Sequence, residues 1–119
     1  MAPVRVAIAG LGFGSSVHLP AINSNPAELK LVGLWHPREN RLKEVCDQTK
    51  SRGYLSWSEL INDKDIDGVI ITTPPGPRFK LAEQALQAGK HLLLEKPVAL
   101  TLDEIIKLHK LSIKNKLIV

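Results

Sequence analysis

The stretch AIAGLGFGSSVHLPAI, Ala7 to Ile22, places three glycines within five residues, at Gly10, Gly12 and Gly14. It misses the pattern G-x-G-x-x-G by one position. Ser15 stands where the third glycine belongs, and Gly14 comes one place early. A loop of this kind, set between a strand and a helix, can cradle a pyrophosphate on main-chain amides at the helix N-terminus. Gly10 can make the tight turn, and Gly12 can let the backbone approach a phosphate. Ser15 is small enough to stand in for the glycine that packs helix on strand, and its hydroxyl can donate to a phosphate oxygen. Phe13 belongs to the same loop. Taken alone, the pattern leaves two readings open: a nucleotide-cradling loop, or a glycine-rich turn of structural use only.

The elements around the loop bear on that choice. Val4 to Ala9 (VRVAIA) reads as a buried strand, and Ser15 to Asn23 as a helix that must place Pro20 near its first turns or bend there. Leu29 to Trp35 is a second strand. Arg38 to Lys50 is a helix with Leu42, Val45, Cys46 and Thr49 on one face. Tyr54 and Leu55 are expected to form a short third strand, and Ser56 with Glu59 a capping box opening a short helix through Ile61. Gly68 to Thr73 is a continuous apolar run suited to a sheet covered on both faces. A helix from about Arg78 to Ala88 stops at Gly89. His91 to Glu95 is a fifth strand. Thr101 and Glu104 cap a helix with Leu102, Ile105, Ile106 and Leu108, and a sixth strand begins at Leu117. Strands and helices alternating in this order require right-handed crossovers. The expected fold is α/β, a doubly wound Rossmann-type parallel sheet with helices on both faces.

Composition narrows the function. Of 119 residues, 44% are hydrophobic and 24% charged, as in a globular domain, and the net charge of +4 permits acidic ligands without requiring them. Aromatics at 4% are too few for a base-stacking platform, and the Lys and Arg residues are scattered, so no nucleic acid is expected as a partner. No apolar run approaches the roughly 20 residues that span a bilayer, so no membrane is expected either. The opening MAPVRVAIAG breaks into glycines with no small-residue cleavage site, which favours a cytoplasmic location. Cys46 is the one cysteine and reads as a small buried hydrophobe. No metal site is expected: His36 lacks a second ligand at suitable spacing, and His18, His91 and His109 read as a helix residue, a strand-start residue and a solvated-face residue.

A longer segment carries more information. TTPPGPRFKLAEQALQAGKHLLLEKPVALTLDE, Thr72 to Glu104, resembles the glucose–fructose oxidoreductase / inositol dehydrogenase / MocA (Gfo/Idh/MocA) family in its TTPP, its ALQAGKH, the tripeptide Glu95-Lys96-Pro97 and the following VALTLDE. GLGFGSSVHLPAI and DIDGVII also resemble the family, and the likeness extends over the whole chain. It implies that residues 1–119 are an NAD(P)-binding domain, the front portion of a longer oxidoreductase whose small-molecule substrate is held by a C-terminal domain beyond Val119. It further implies a sugar, cyclitol or related alcohol or carbonyl as substrate, and a homo-oligomer as the assembly. By the same resemblance Lys96 is the catalytic lysine, Glu95 orients it and Pro97 fixes the turn. Thr72, Thr73, Pro74 and Pro75 would line the cofactor path at a strand's carboxyl end, where open α/β sheets bind ligands. The alternative is a noncatalytic nucleotide-sensing or interaction module on the same scaffold.

The chain departs from the family at three places. Ser15 replaces the third glycine, and Arg78 stands where the family often has histidine. The second strand ends in Trp35-His36-Pro37-Arg38, with His36 where an aspartate commonly meets the ribose of NAD. With no carboxylate there to repel a 2′-phosphate, and with Arg38 and Arg41 positioned to meet one, NADP is expected over NAD, NAD remaining possible.

Overall fold

The computed structural model describes all residues from Met1 to Val119. Four strands, β1 (Val4–Ala9), β2 (Leu29–Trp35), β3 (Gly68–Ile71) and β4 (His91–Leu94), form one parallel sheet in the order β2-β1-β3-β4. Five helices connect them: α1 (Leu19–Asn23), α2 (Glu39–Thr49), α3 (Trp57–Asn62), α4 (Pro75–Gln87) and α5 (Leu102–Lys114). The strand period of two sends successive β1 residues to opposite faces. Val6 and Ile8 enter a core with Leu19, Ile22, Leu42 and Val45, under α1 and α2. Ala7 and Ala9 enter the other core, with Leu60, Ala82, Ala85, Leu86 and Leu108 from α3, α4 and α5. Because β1 leads outward to β2 while β3 leads the opposite way to β4, the carboxyl ends of β1 and β3 flank a topological switch point.

Two expected strands do not form. The segment after α2 makes a single parallel bridge, Leu34 with Gly53, through Leu34 N–H to the Arg52 carbonyl and Tyr54 N–H to the Leu34 carbonyl, each 2.9 Å. It then leaves the sheet because Tyr54 turns inward, its hydroxyl bonded to Asp63, while Leu55 faces solvent and Ser56 at once caps α3. The Tyr54 ring lies across Gly33 of β2, where an added Cβ would stand 2.5 Å from Cε2. At the other end, Leu117–Val119 reaches the β4 edge with one main-chain bond, Leu92 N–H to the Ile118 carbonyl at 2.9 Å, and makes no ladder.

Several boundaries also differ. The helix after β3 begins at Pro75, ahead of Arg78, since Pro75 is suited to the first helical position, where no amide hydrogen is needed. β3 and β4 end at Ile71 and Leu94, leaving Thr72, Thr73 and Glu95 in loops. The helix after the glycine loop opens as a π-helical turn, Gly14–His18, and becomes α-helical at Leu19. Pro20 supplies the reason, because an α-helix running through it would set its ring against the carbonyl four residues earlier. On α5 only Leu108 of the four apolar residues is buried; Leu102, Ile105 and Ile106 face outward. Cys46 is half-buried beside its core rather than fully enclosed.

The polar tie under the sheet is Arg5 with Asp67. The Asp67 carboxylate accepts from Arg5 Nε and Nη2 at 3.1 and 2.8 Å and from the Arg5 amide at 2.8 Å, joining the start of β1 to the start of β3. The guanidinium bond first, and then the amide, hold the Asp67 carboxyl at about 2, below its usual 3.8. A depressed carboxylate stabilises the fold above its unfolded value and loses that contribution as pH falls toward its folded value. Asp67→Asn should therefore lower unfolding stability at pH 7 by about 1 kcal/mol, a figure reduced for the partial exposure of the pair. In urea titrations the gap between wild type and variant should narrow steadily as pH falls from about 4 through about 2; a gap at pH 2 as large as that at pH 7 would refute the assignment.

Candidate cofactor-binding site

At the switch point the ends of β1, β2, β3 and β4 enclose a cleft of about 570 Å³. Its walls bring together Gly10, Leu11, Gly12 and Phe13 from the glycine loop, His36, Pro37 and Arg38 from the end of β2, Thr72, Thr73 and Pro74 from the end of β3, Arg78 from α4, and Glu95 and Lys96 from the end of β4. Of the residues singled out in the sequence, Gly14, Ser15, Arg41, Pro75 and Pro97 lie behind this wall rather than in it. Their roles differ accordingly.

The glycine loop is shaped by close approach. Gly10 has φ +95°, and a Cβ there would stand 2.6 Å from the Thr73 amide nitrogen, so no other residue fits. Thr72 Oγ1 donates to the Gly10 carbonyl at 2.8 Å and fastens the loop to the end of β3. At Gly12 an added Cβ would meet nothing within 4 Å. Its face is open, and the Gly12 and Phe13 amides donate to no main-chain carbonyl. Gly14 is the packing glycine. A Cβ on it would lie 2.7 Å from Ile8 Cγ2 and 3.0 Å from Thr72 Oγ1. The job expected of Ser15 thus falls to Gly14, because the π-helical turn brings the inward-facing position forward by one residue. Ser15 is turned aside: its hydroxyl donates to the Leu11 carbonyl at 2.6 Å, which corrects the expectation that it points at a phosphate.

At the end of β2, His36 Nδ1 accepts the Arg38 amide at 2.9 Å, which leaves the ring proton on Nε2. Burial, reinforced by the charges of Arg38 and Arg41, holds the His36 pKa below its ordinary value, so the ring is neutral at pH 7. The Arg38 guanidinium is exposed on the cleft wall and makes no hydrogen bond or ion pair within the chain. Arg41 is engaged elsewhere, donating to the Leu11 carbonyl at 3.0 Å and pairing with Glu44 at 3.2 Å. It braces the glycine loop from behind.

The Glu95-Lys96-Pro97 segment contains a cis Lys96–Pro97 peptide and is held from two sides. Arg78, only 3% exposed, donates from Nε to the Thr73 carbonyl at 3.0 Å and from Nη1 to the carbonyls of Glu95 and Pro97. One guanidinium therefore ties the β3 turn to the main chain on both sides of Lys96. Desolvation lowers its pKa from a value high enough that it remains a cation. From the other side, His18 Nε2 lies 2.7 Å from Glu95 Oε1, and this contact first, opposed by burial, brings the Glu95 carboxyl below its usual value. Lys96 is exposed at the cleft edge.

Sequence reasoning missed the parts played by His18 and Arg78. His18 lies 77 residues from its partner, and nothing local marks it. Arg78 showed itself only as a departure from a family pattern. The arrangement fits a dinucleotide: free amides and an open glycine on one wall, unpaired Arg38 on another, and the buried Thr73 hydroxyl, which has no partner, beside the third.

Fold and cleft together have the form of a Rossmann-type dinucleotide-binding domain. Comparison with known proteins specifies the family: residues 4–119 match the model of the Gfo/Idh/MocA oxidoreductase family with an NAD-binding Rossmann fold, and the chain belongs to it. It is similar to galactose 1-dehydrogenase of Pseudomonas fluorescens, 38% identical over 86% of this chain and 32% of that protein. An uncharacterised oxidoreductase of Synechocystis is 34% identical over 92% of this chain and 29% of that protein. Among solved structures, biliverdin reductase from Synechocystis, in complex with biliverdin and NADP+, superposes with a TM-score of 0.90 at 36% identity, over 98% of this chain and 36% of that one. UDP-N-acetylglucosamine 3-dehydrogenase from Acidithiobacillus ferrooxidans superposes with a TM-score of 0.84 at 30% identity, over 98% and 37%. The chain spans about a third of the length of these relatives. No helix is long and apolar enough to cross a membrane.

The packing roles of Gly14 and Ser15 make opposite forecasts. Gly14→Ala should cost about 1–3 kcal/mol, as overpacking in a close contact does, whereas Ser15→Ala, which removes only the hydroxyl bond to the Leu11 carbonyl, should cost about 1 kcal/mol or less. Equal losses in thermal unfolding of the two variants would show that the packing position is not Gly14.

Proposed function

We propose that this chain is the cofactor-binding domain of an NADP-preferring oxidoreductase whose substrate is a sugar, cyclitol or related small alcohol or carbonyl, held by a further domain. The observation that carries the reading is the convergence on one cleft of the glycine loop, the Thr72–Pro74 turn and Lys96. The amides of Gly12 and Phe13 would hold the pyrophosphate, favoured by the N-terminus of the helix behind them. Thr72 and Thr73 would border the path toward Lys96, with Pro74 and Pro75 closing the turn. When bound, the nicotinamide supplies hydride transfer. Lys96 then stabilises charge on the substrate oxygen or moves its proton through Nζ, as a positioned acid–base group does. Arg78 and His18 keep the segment carrying that lysine in place. The outward apolar side chains of Leu102, Ile105 and Ile106 support a contact face on this side of the domain, as a two-domain or homo-oligomeric enzyme requires.

The likeness to a biliverdin reductase at 36% identity supports a second reading, in which the substrate is a biliverdin-like pigment. Assays of the full-length enzyme with NADPH and biliverdin, and with NADP and a panel of aldoses and inositols, separate the two.

Two outcomes test the site. NADPH should bind about 10- to 100-fold more tightly than NADH, the scale of one charge-assisted phosphate contact, and Arg38→Ala should erase most of the difference. Equal affinities in fluorescence titrations of the wild type, or an unchanged ratio in Arg38→Ala, would defeat the preference. In the full-length enzyme Lys96→Ala should lower kcat by about 10²–10⁴-fold with little change in cofactor affinity; near-normal turnover would make Lys96 structural.

A further inference from the structure

The loop that would receive the cofactor and the segment that carries Lys96 lie on different strands, yet one side-chain contact joins them directly. His18 closes the π-helical turn opened by Gly14, and its Nε2 is 2.7 Å from Glu95 Oε1. Both side chains are largely covered, 17% and 27% exposed, so water competes weakly for the bond. Nε2–H donates and the carboxylate accepts, a charge-assisted bond of the stronger kind.

The position of this bond is informative. Glu95 immediately precedes Lys96, and its carbonyl is already taken by Arg78. With the backbone held on one side and the carboxylate on the other, the residue has little freedom left. The carboxylate is also the nearest anion along the chain to the Lys96 ammonium. Released from His18, it could turn and pair with that ammonium, drawing it from the cleft. A stability role alone would place the contact anywhere between the first helix and the sheet. Here it falls on the residue next to the lysine and on the same helical turn that packs against the glycine loop.

We propose that His18 is a positioning residue for the reaction: by holding the Glu95 carboxylate it fixes the presentation of Lys96 and ties it to the glycine-loop helix. The inference rests on the reading of Lys96 given above. His18 touches neither substrate nor cofactor in this role. Its effect is on where Lys96 points, so it should appear in turnover and not in binding.

The test is a set of variants of the full-length enzyme, each measured for kcat, substrate KM, NADPH dissociation constant by fluorescence, and thermal midpoint. His18→Ala should lower kcat by about 10- to 100-fold, the range that follows misplacement of a reacting group by about an ångström. KM and the NADPH dissociation constant should stay within about threefold, since nothing that binds has been removed. His18→Gln, whose amide can still reach and donate to the carboxylate, should recover most of the loss, while His18→Asn, too short, should not. Glu95→Ala should lower kcat, and adding His18→Ala to it should lower kcat little further, as expected when both act through one contact. If His18→Ala does not fold, the Gln and Asn variants decide, and equal kcat in the two overturns the proposal. Unchanged kcat in His18→Ala overturns it while leaving Lys96 in place, provided Lys96→Ala is inactive. A large rise in the NADPH dissociation constant with kcat unchanged overturns it too, assigning His18 to the loop alone. Full turnover in Lys96→Ala overturns the lysine reading and this inference with it.

Discussion

The site depends on how closely the end of β1 approaches the end of β3. Gly10 and Gly14 present bare backbone to Thr72 and Thr73, with no space for a methyl group at either glycine. The Thr72 hydroxyl spans the gap to the Gly10 carbonyl. This contact closes the floor of the cleft, where Gly10 and Thr72 both line the wall. A side chain at either glycine would push the loop away from β3 and open the wall that the free amides of Gly12 and Phe13 now form.

Around that floor, the chain holds its loops with polar atoms drawn from far along the sequence. Arg78 is a buried cation with no carboxylate in bonding contact, satisfied by main-chain carbonyls of Thr73, Glu95 and Pro97. Such a group is costly to bury unless its donors are occupied, and here four of them are. Arg41 does comparable work on the outer side, bracing the Leu11 carbonyl from α2. The Asp67–Arg5 tie fixes the opposite end of the same two central strands. The sheet is thus locked at the base while its carboxyl edge stays open to a ligand.

Charge in the cleft follows from the same placement. His36 is held neutral by burial and by the arginines beside it, and Glu95 is engaged by His18. What remains facing the opening is cationic: Arg38 at one end and Lys96 at the other. A ligand that carries phosphates along its length and a reactive ring at its end is matched by that order of groups.

Much of this was legible in the residues. The alternation of apolar runs and helical periods fixes a parallel sheet with helices on both faces, because a strand read in VRVAIA or GVII must be covered twice. The glycines, the TTPP turn and Glu95-Lys96-Pro97 could be placed at strand ends, since local pattern determines where strands stop to within a residue or two. Serine and threonine three residues ahead of glutamate predicted the starts of α3 and α5, a short-range hydrogen bond that needs no tertiary context. Other features belonged to the tertiary structure alone. Whether Tyr54 and Leu55 continue as a strand depends on a buried ring crossing Gly33, and whether Gly14 or Ser15 faces β1 depends on a π-helical turn ahead of Pro20. His18 against Glu95, and Arg78 against three carbonyls, join positions 77, 5, 17 and 19 residues apart. Sequence sets which groups are present and their local geometry; only the packed sheet, by bringing distant strand ends within bonding distance, decides which of them meet.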